Sequence, residues 1–218
     1  MSFRPWNLGT RDNLNLYLFM GVLVIVGAVF GALLVNALTF EQQQDLADEL
    51  GAYVGKLGSP AAGDAGAAFR ESFFFYARWI GLIWLLGVSV IGLPIVLVLD
   101  FLKGVLIGFA VGLIVRQMAW KGLLFAAAAV APQNALIVPA LLVASVSASR
   151  FAYFIVRERL FRRKGQLLPP FLAHMSAALL MILMTACAAL YEAYVAPALL
   201  ARVSAALLPA SALAVPIF

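Results

Sequence analysis

The sequence predicts an all-α fold: a polytopic integral membrane helical bundle of about five transmembrane helices, the fourth segment broken by prolines. Three observations lead there. Hydrophobic residues make up 65% of the 218-residue chain, against about 45–50% in soluble domains. Charged residues make up 11%, against about 25% in an average soluble protein, too few to clothe a soluble globule. Mean hydropathy is +1.02, concentrated in runs long enough to cross a hydrocarbon core of ~30 Å. A sizeable soluble catalytic domain is excluded, and the chain reads as a single membrane domain over 1–218.

The first apolar run, 16–38, is longer than the ~7–15 residues of a signal-peptide core. It reads as a retained span preceded by Arg4 and Arg11. Residues 39–72 change character and read as an acidic loop. Their first part, FEQQQDLADELGAYV, places Leu46, Leu50, Tyr53 and Val54 on one face of a short amphipathic helix. Asp45, Asp48 and Glu49 are its candidate contact residues, and GSPAAGDAGAA follows as a flexible turn.

The second span, 73–99, opens with FFFYARW, suited to the headgroup boundary. A kink is expected near Gly92 and Pro94. Asp100 and Lys103 are expected in a tight turn, paired with each other at the interface. The third span, 104–118, carries Gly104, Gly108 and Gly112 four residues apart. Such a ridge of small residues lets another helix approach closely, and Gly27 with Gly31 offers a second one. Each could pack the bundle internally or dock a partner's helix.

The fourth segment, 122–148, contains Pro132, Gln133, Asn134 and Pro139. Each proline removes a backbone donor that lipid cannot replace. A broken helix buried among its neighbours is expected, with Gln133 and Asn134 capping the freed groups; a re-entrant pair of half-helices is the second option. A basic loop, 150–164, holds Arg150, Arg157, Arg159, Arg162, Arg163 and Lys164. The last span is 167–190, and the apolar tail 198–218 reads as a helix lying in the interface or a poorly ordered end. With five spans, the N-terminus and the basic loop share one side, which the positive-inside rule makes cytoplasmic. The acidic loop and the C-terminus are then extracytoplasmic.

Little here points to chemistry. The single histidine, His174, and the single cysteine, Cys187, lie on one apolar span, with no ligand cluster for a metal. His174 reads as a polar group satisfied within the bundle and Cys187 as a small packing residue. No nucleotide or hydrolase motif is present. No enzyme activity, cofactor or nucleic-acid partner is expected, since bases in so apolar a chain serve topology and lipid headgroups first. Polar residues at membrane depth are costly and often functional. Asn36, Asp100, Lys103, Arg116, Gln133, Asn134 and Glu192 are therefore the candidates. A small-solute or ion transporter centred on Pro132, Gln133 and Asn134 is the alternative function.

The run GLIWLLGVSVIGLPIVLVLDFLKGVLIGFAVGLIVRQMAWKGL at 81–123 resembles stage II sporulation protein M of endospore-forming bacteria. So does APQNALIVPALLVASVS at 131–147, with weaker support from VFGALLVN at 29–36 and YEAYVAP at 191–197. The tail after about Arg202 lies outside the resemblance. The resemblance implies a membrane scaffold of the engulfment machinery that is not itself a hydrolase. It implies stage II sporulation proteins D and P, which remodel septal peptidoglycan, as partners in the mother-cell membrane at the septum. Self-association into a homo-oligomer is left open.

Overall fold

The structure, a computed structural model, describes residues 11–57, 64–89, 92–156 and 167–207. The bases at Arg4 and at 157–164, the turn at 58–63 and the tail beyond 207 lie outside the described residues. Those described form helices and no strand. They are α1 (Arg11–Leu34), α2 (Phe40–Leu57), α3 (Ala65–Val88), α4 (Gly92–Ala129), α5 (Ala131–Phe154), α6 (Leu168–Leu190) and α7 (Ala196–Leu207). A 3-10 turn, Val35–Ala37, closes α1, and a π-helical turn, Tyr191–Val195, joins α6 to α7. Five stretches are long and apolar enough to cross a membrane.

Helix α1 packs along α4, and the register is set by backbone contact. A Cβ on Gly27 would strike the Phe101 carbonyl oxygen, and one on Gly31 that of Val105. Reciprocally, Gly104 faces the Val24 carbonyl and Gly108 that of Ala28, and a Cβ on Gly112 would lie 3.0 Å from the Ala32 Cα. Without a hydrophobic drive between helices in lipid, such close packing supplies much of the attraction.

Helix α5 is the most enclosed of the five candidate spans. Ala140, Ala144, Ala148 and Ala152 recur every fourth residue and are all buried. Ile80, Ile83, Val96, Leu141 and Met181 close around this ladder.

The start of α2 explains itself from sequence. The Thr39 amide donates to the Gln42 side-chain oxygen at 3.1 Å, and the Gln42 amide donates to the Thr39 hydroxyl at 3.4 Å. This is a capping box. Helix α3 begins at Asp64, whose carboxylate accepts from the Gly66 amide at 3.0 Å. The expected loop 39–72 is thus largely helical.

Three expectations need correcting. The chain does not turn at Asp100 and Lys103, nor kink within one long second span. The reversal falls between α3 and α4, where the Ser89 amide donates to the Leu86 carbonyl and the Gly92 amide to the Ser89 carbonyl. Gly92 lies against the Leu86 carbonyl with no room for a Cβ. Pro94 then falls in the first turn of α4, where no amide donor is needed. Second, Pro139 stays within α5, on its exposed side. The break falls earlier, at Val130, with Pro132 opening α5. A sharper one lies at Ala119, whose φ of 49° and ψ of −130° interrupt α4. A Cβ on Gly122 would meet the Ile114 carbonyl. In one straight helix eight residues lie ~12 Å apart, so the chain doubles back at Ala119.

Third, the C-terminal segment is not a separate surface helix over its described part. It continues α6, and the run 168–207 is roughly twice as long as the ~30 Å hydrocarbon core. Leu200 is buried against Ile114 and Phe125. Cys187, expected to pack, is exposed on α6.

Candidate functional site

Val96, Asp100 and Lys103 fall on one face of α4 and all three are buried. At 100° per residue, Asp100 and Lys103 differ by ~60° around the helix, enough to send them to different neighbours. The Ser145 hydroxyl on α5 donates to Asp100 Oδ1 at 2.7 Å, while Asp100 Oδ2 is buried and has no hydrogen-bond partner. Lys103 turns toward α3. Its ammonium lies 5.6 Å from the centre of the Tyr76 ring, a cation–π distance. The Tyr76 hydroxyl donates to Glu192 Oε2 at 2.6 Å, and Glu192 is the carboxylate whose charge acts on Lys103.

The expected Asp100–Lys103 pair is therefore not made. Among the described residues the one ion pair within 4 Å joins Arg70 to Asp64 at the surface. Glu192 reaches Tyr76 from the π-helical turn, a local widening that often marks a functional position.

A second polar group lies nearer the junction of α3 and α4. His174 is buried, with its Nδ1 2.9 Å from the Ser147 hydroxyl and its Nε2 3.2 Å from the Trp84 carbonyl. A carbonyl only accepts, so Nε2 carries the proton and Nδ1 accepts from Ser147. The imidazole stacks with Phe151 at 5.2 Å and with Trp84 at 6.3 Å. Gly87 makes room for it, since a Cβ there would lie 2.8 Å from Nε2. A hydroxyl beside an imidazole is the beginning of a nucleophile–base pair. Here it works as a brace among α3, α5 and α6.

The other candidates gather at the opposite end. Arg116 donates to the Asn36 side-chain oxygen at 2.7 Å, tying α4 to the end of α1. An open cleft of ≈ 430 Å³ lies there, lined by Ala32, Val35, Asn36, Gly112, Val115 and Arg116. Gln117 donates to the Gln43 carbonyl of α2 at 3.4 Å. Asn134 sits at the break without capping a group that Pro132 frees, since the Val130 carbonyl it reaches already accepts from the Asn134 backbone amide at 3.3 Å. Its side-chain nitrogen donates to the Val130 carbonyl at 2.8 Å, while its oxygen is buried without a partner. Gln133 beside it is half-buried. Asp45, Asp48 and Glu49 are exposed on α2, and Leu46 is half-buried. The side chains of Leu50, Tyr53 and Val54 lie outside the described residues.

The five candidate glycines face one another across α1 and α4. They are occupied within the chain. Sequence reasoning missed Tyr76, Ser145 and Ser147, which look ordinary one at a time. It also missed the alanine ladder of α5, whose four-residue spacing is a signal that could have found it.

A family model described as stage II sporulation protein M matches residues 20–197. The chain belongs to the stage II sporulation protein M family. The match opens inside α1 and closes at the start of α7. It takes in the glycine contact, Asp100, Lys103 and Glu192, and it agrees with the resemblance seen in the sequence. In this family member the helices are those of a multi-pass membrane protein. No curated protein and no solved structure matches the chain. Among the described residues no group of three or more potential ligands could hold a metal ion.

Proposed function

We propose that this family member is a non-enzymatic membrane scaffold of the engulfment machinery. In this reading it recruits and anchors septal peptidoglycan-remodelling enzymes, stage II sporulation proteins D and P, in the mother-cell membrane. The observation that carries it is the division of labour among polar groups. Those inside the bundle are spent largely on holding helices together: Ser145 on Asp100, Tyr76 on Glu192, Ser147 on His174. Those of α2, with Glu41, Asp45, Asp48 and Glu49 exposed, face outward from one end.

With the N-terminus cytoplasmic, that end is extracytoplasmic, where enzymes acting on peptidoglycan work. Family membership supplies the sporulation context. The test is a chromosomal deletion followed by imaging of fluorescent fusions to the two enzymes. Loss of septal localisation and arrested engulfment are expected. A photo-cross-linker at Asp48 should then capture one of them in sporulating cells. Normal engulfment with both enzymes correctly placed defeats the proposal.

A further inference from the structure

One ionisable group in the middle of the bundle has only half of its hydrogen-bonding capacity met. Asp100 is wholly buried at 0% exposure. Ser145 satisfies one of its oxygens and nothing satisfies the other. No basic nitrogen among the described residues comes within 4 Å of its carboxylate oxygens.

The titratable groups on the surrounding elements whose contacts are described are directed elsewhere. Lys103, on the same helix, lies over Tyr76 of α3 and is acted on by Glu192 of the π turn. Tyr76 is bonded to that same Glu192. His174 of α6 is held by Ser147 and Trp84. Arg150, at the end of α5, acts on Tyr17 of α1.

Charge counting then decides the protonation state. The core of the bundle holds two carboxyls, Asp100 and Glu192, and one ammonium, Lys103. Lys103 and Glu192 balance each other. A bare carboxylate left over in a lipid-surrounded core carries a penalty of several kcal/mol. A proton removes that penalty, and the oxygen free to take it is Asp100 Oδ2.

We propose that Asp100 is a proton-binding site in the membrane core, and that its proton holds α4 against α5. The neutral carboxyl accepts from Ser145 and lets the alanine ladder of α5 close on α4. Loss of the proton places an uncompensated charge at that contact and opens it. The inference is independent of the scaffold reading.

Dicyclohexylcarbodiimide tests it, because an apolar carbodiimide adds to a protonated carboxylic acid and not to a carboxylate. Full-length protein in lipid nanodiscs is treated with the reagent over a range of pH, digested and analysed by mass spectrometry. The peptide bearing Asp100 is expected to carry the label, less of it as pH rises, and the Glu192 peptide is not. Asp100→Asn, the neutral isostere, is expected to lose the label while its melting temperature stays at or above that of the parent. Three results overturn the proposal: no label at Asp100 in folded protein; label at Asp100 that sodium suppresses at constant pH, which makes the ligand a metal cation; or a melting temperature lowered by Asp100→Asn, which means the native group is charged.

Discussion

The contact between α1 and α4 makes a graded prediction, because its glycines differ in the space they leave. A Cβ on Gly108 would run into the Ala28 carbonyl oxygen, a backbone atom that cannot rotate away. The two helices must then separate locally. Overpacking of this kind costs about 1–3 kcal/mol, which for a chain of this size lowers the melting temperature by roughly 2–12 °C. At Gly112 the nearest atom to such a Cβ is 3.0 Å away. A shift of a few tenths of an ångström there competes with the ~0.5–1 kcal/mol that alanine gains over glycine in a helix. At Gly21 and Gly81 no atom lies within 4 Å, so only the gain remains. The order of melting temperatures is therefore Gly21→Ala and Gly81→Ala above the parent, Gly112→Ala near it, and Gly108→Ala clearly below. Tryptophan fluorescence of the purified chain in nanodiscs, followed on heating, reads the series. A Gly108→Ala protein that melts with Gly21→Ala refutes the assignment of these glycines to the α1–α4 contact.

Other outcomes follow from single contacts. Ala119 holds a backbone conformation suited to glycine, so Ala119→Gly is expected to stabilise the chain by about 1 kcal/mol, seen as a rise in the same melt. Glu192→Ala leaves the buried Lys103 without its counter-charge and is expected to cost about 3 kcal/mol, Glu192 being only half-buried. The double variant Lys103→Met with Glu192→Gln should recover most of that loss, and no recovery would show that the two groups are uncoupled. Thr39→Ala removes the capping box and about 0.5–2 kcal/mol of local stability. Hydrogen exchange should quicken in the first turn of α2 and stay unchanged in α3.

The parts of the fold legible in the sequence are those that depend on one helix at a time. The four-residue spacing of Gly104, Gly108 and Gly112 marked a close-packing face without knowledge of the partner. The gap between spans at 119–121 coincides with the reversal at Ala119. Asn134 beside Pro132 reads as a cap for a freed group, but its side chain goes to the Val130 carbonyl, which the Asn134 backbone amide already serves. The junction of α3 and α4 is not legible in the sequence, because the charges of Asp100 and Lys103 suggest an interface instead. Asp100 and Lys103 pointed to the membrane surface only while their partners were unknown. Those partners are distant in sequence: Ser145 lies 45 residues from Asp100, and Glu192 lies 116 from Tyr76. No local pattern connects them. Pro94 misled for a related reason, since a proline in the first turn of a helix and one at a kink look alike until the helix start is known.

The same long-range bonds bear on why the bundle has one arrangement. Apolar faces in lipid gain little from choosing each other over acyl chains, so hydrophobicity alone leaves helix rotation unspecified. Here α4 is fixed on three sides. Its glycines admit α1 along one edge, Asp100 meets Ser145 of α5, and Lys103 turns toward Tyr76 of α3. Rotating α4 by one residue, ~100°, would break all three at once, burying Asp100 and Lys103 without partners and pressing side chains into the α1 backbone. Each contact is modest alone. Their dependence on one rotation makes them selective, which is a reason for a membrane protein to keep an acid and a base in a core where neither is cheap.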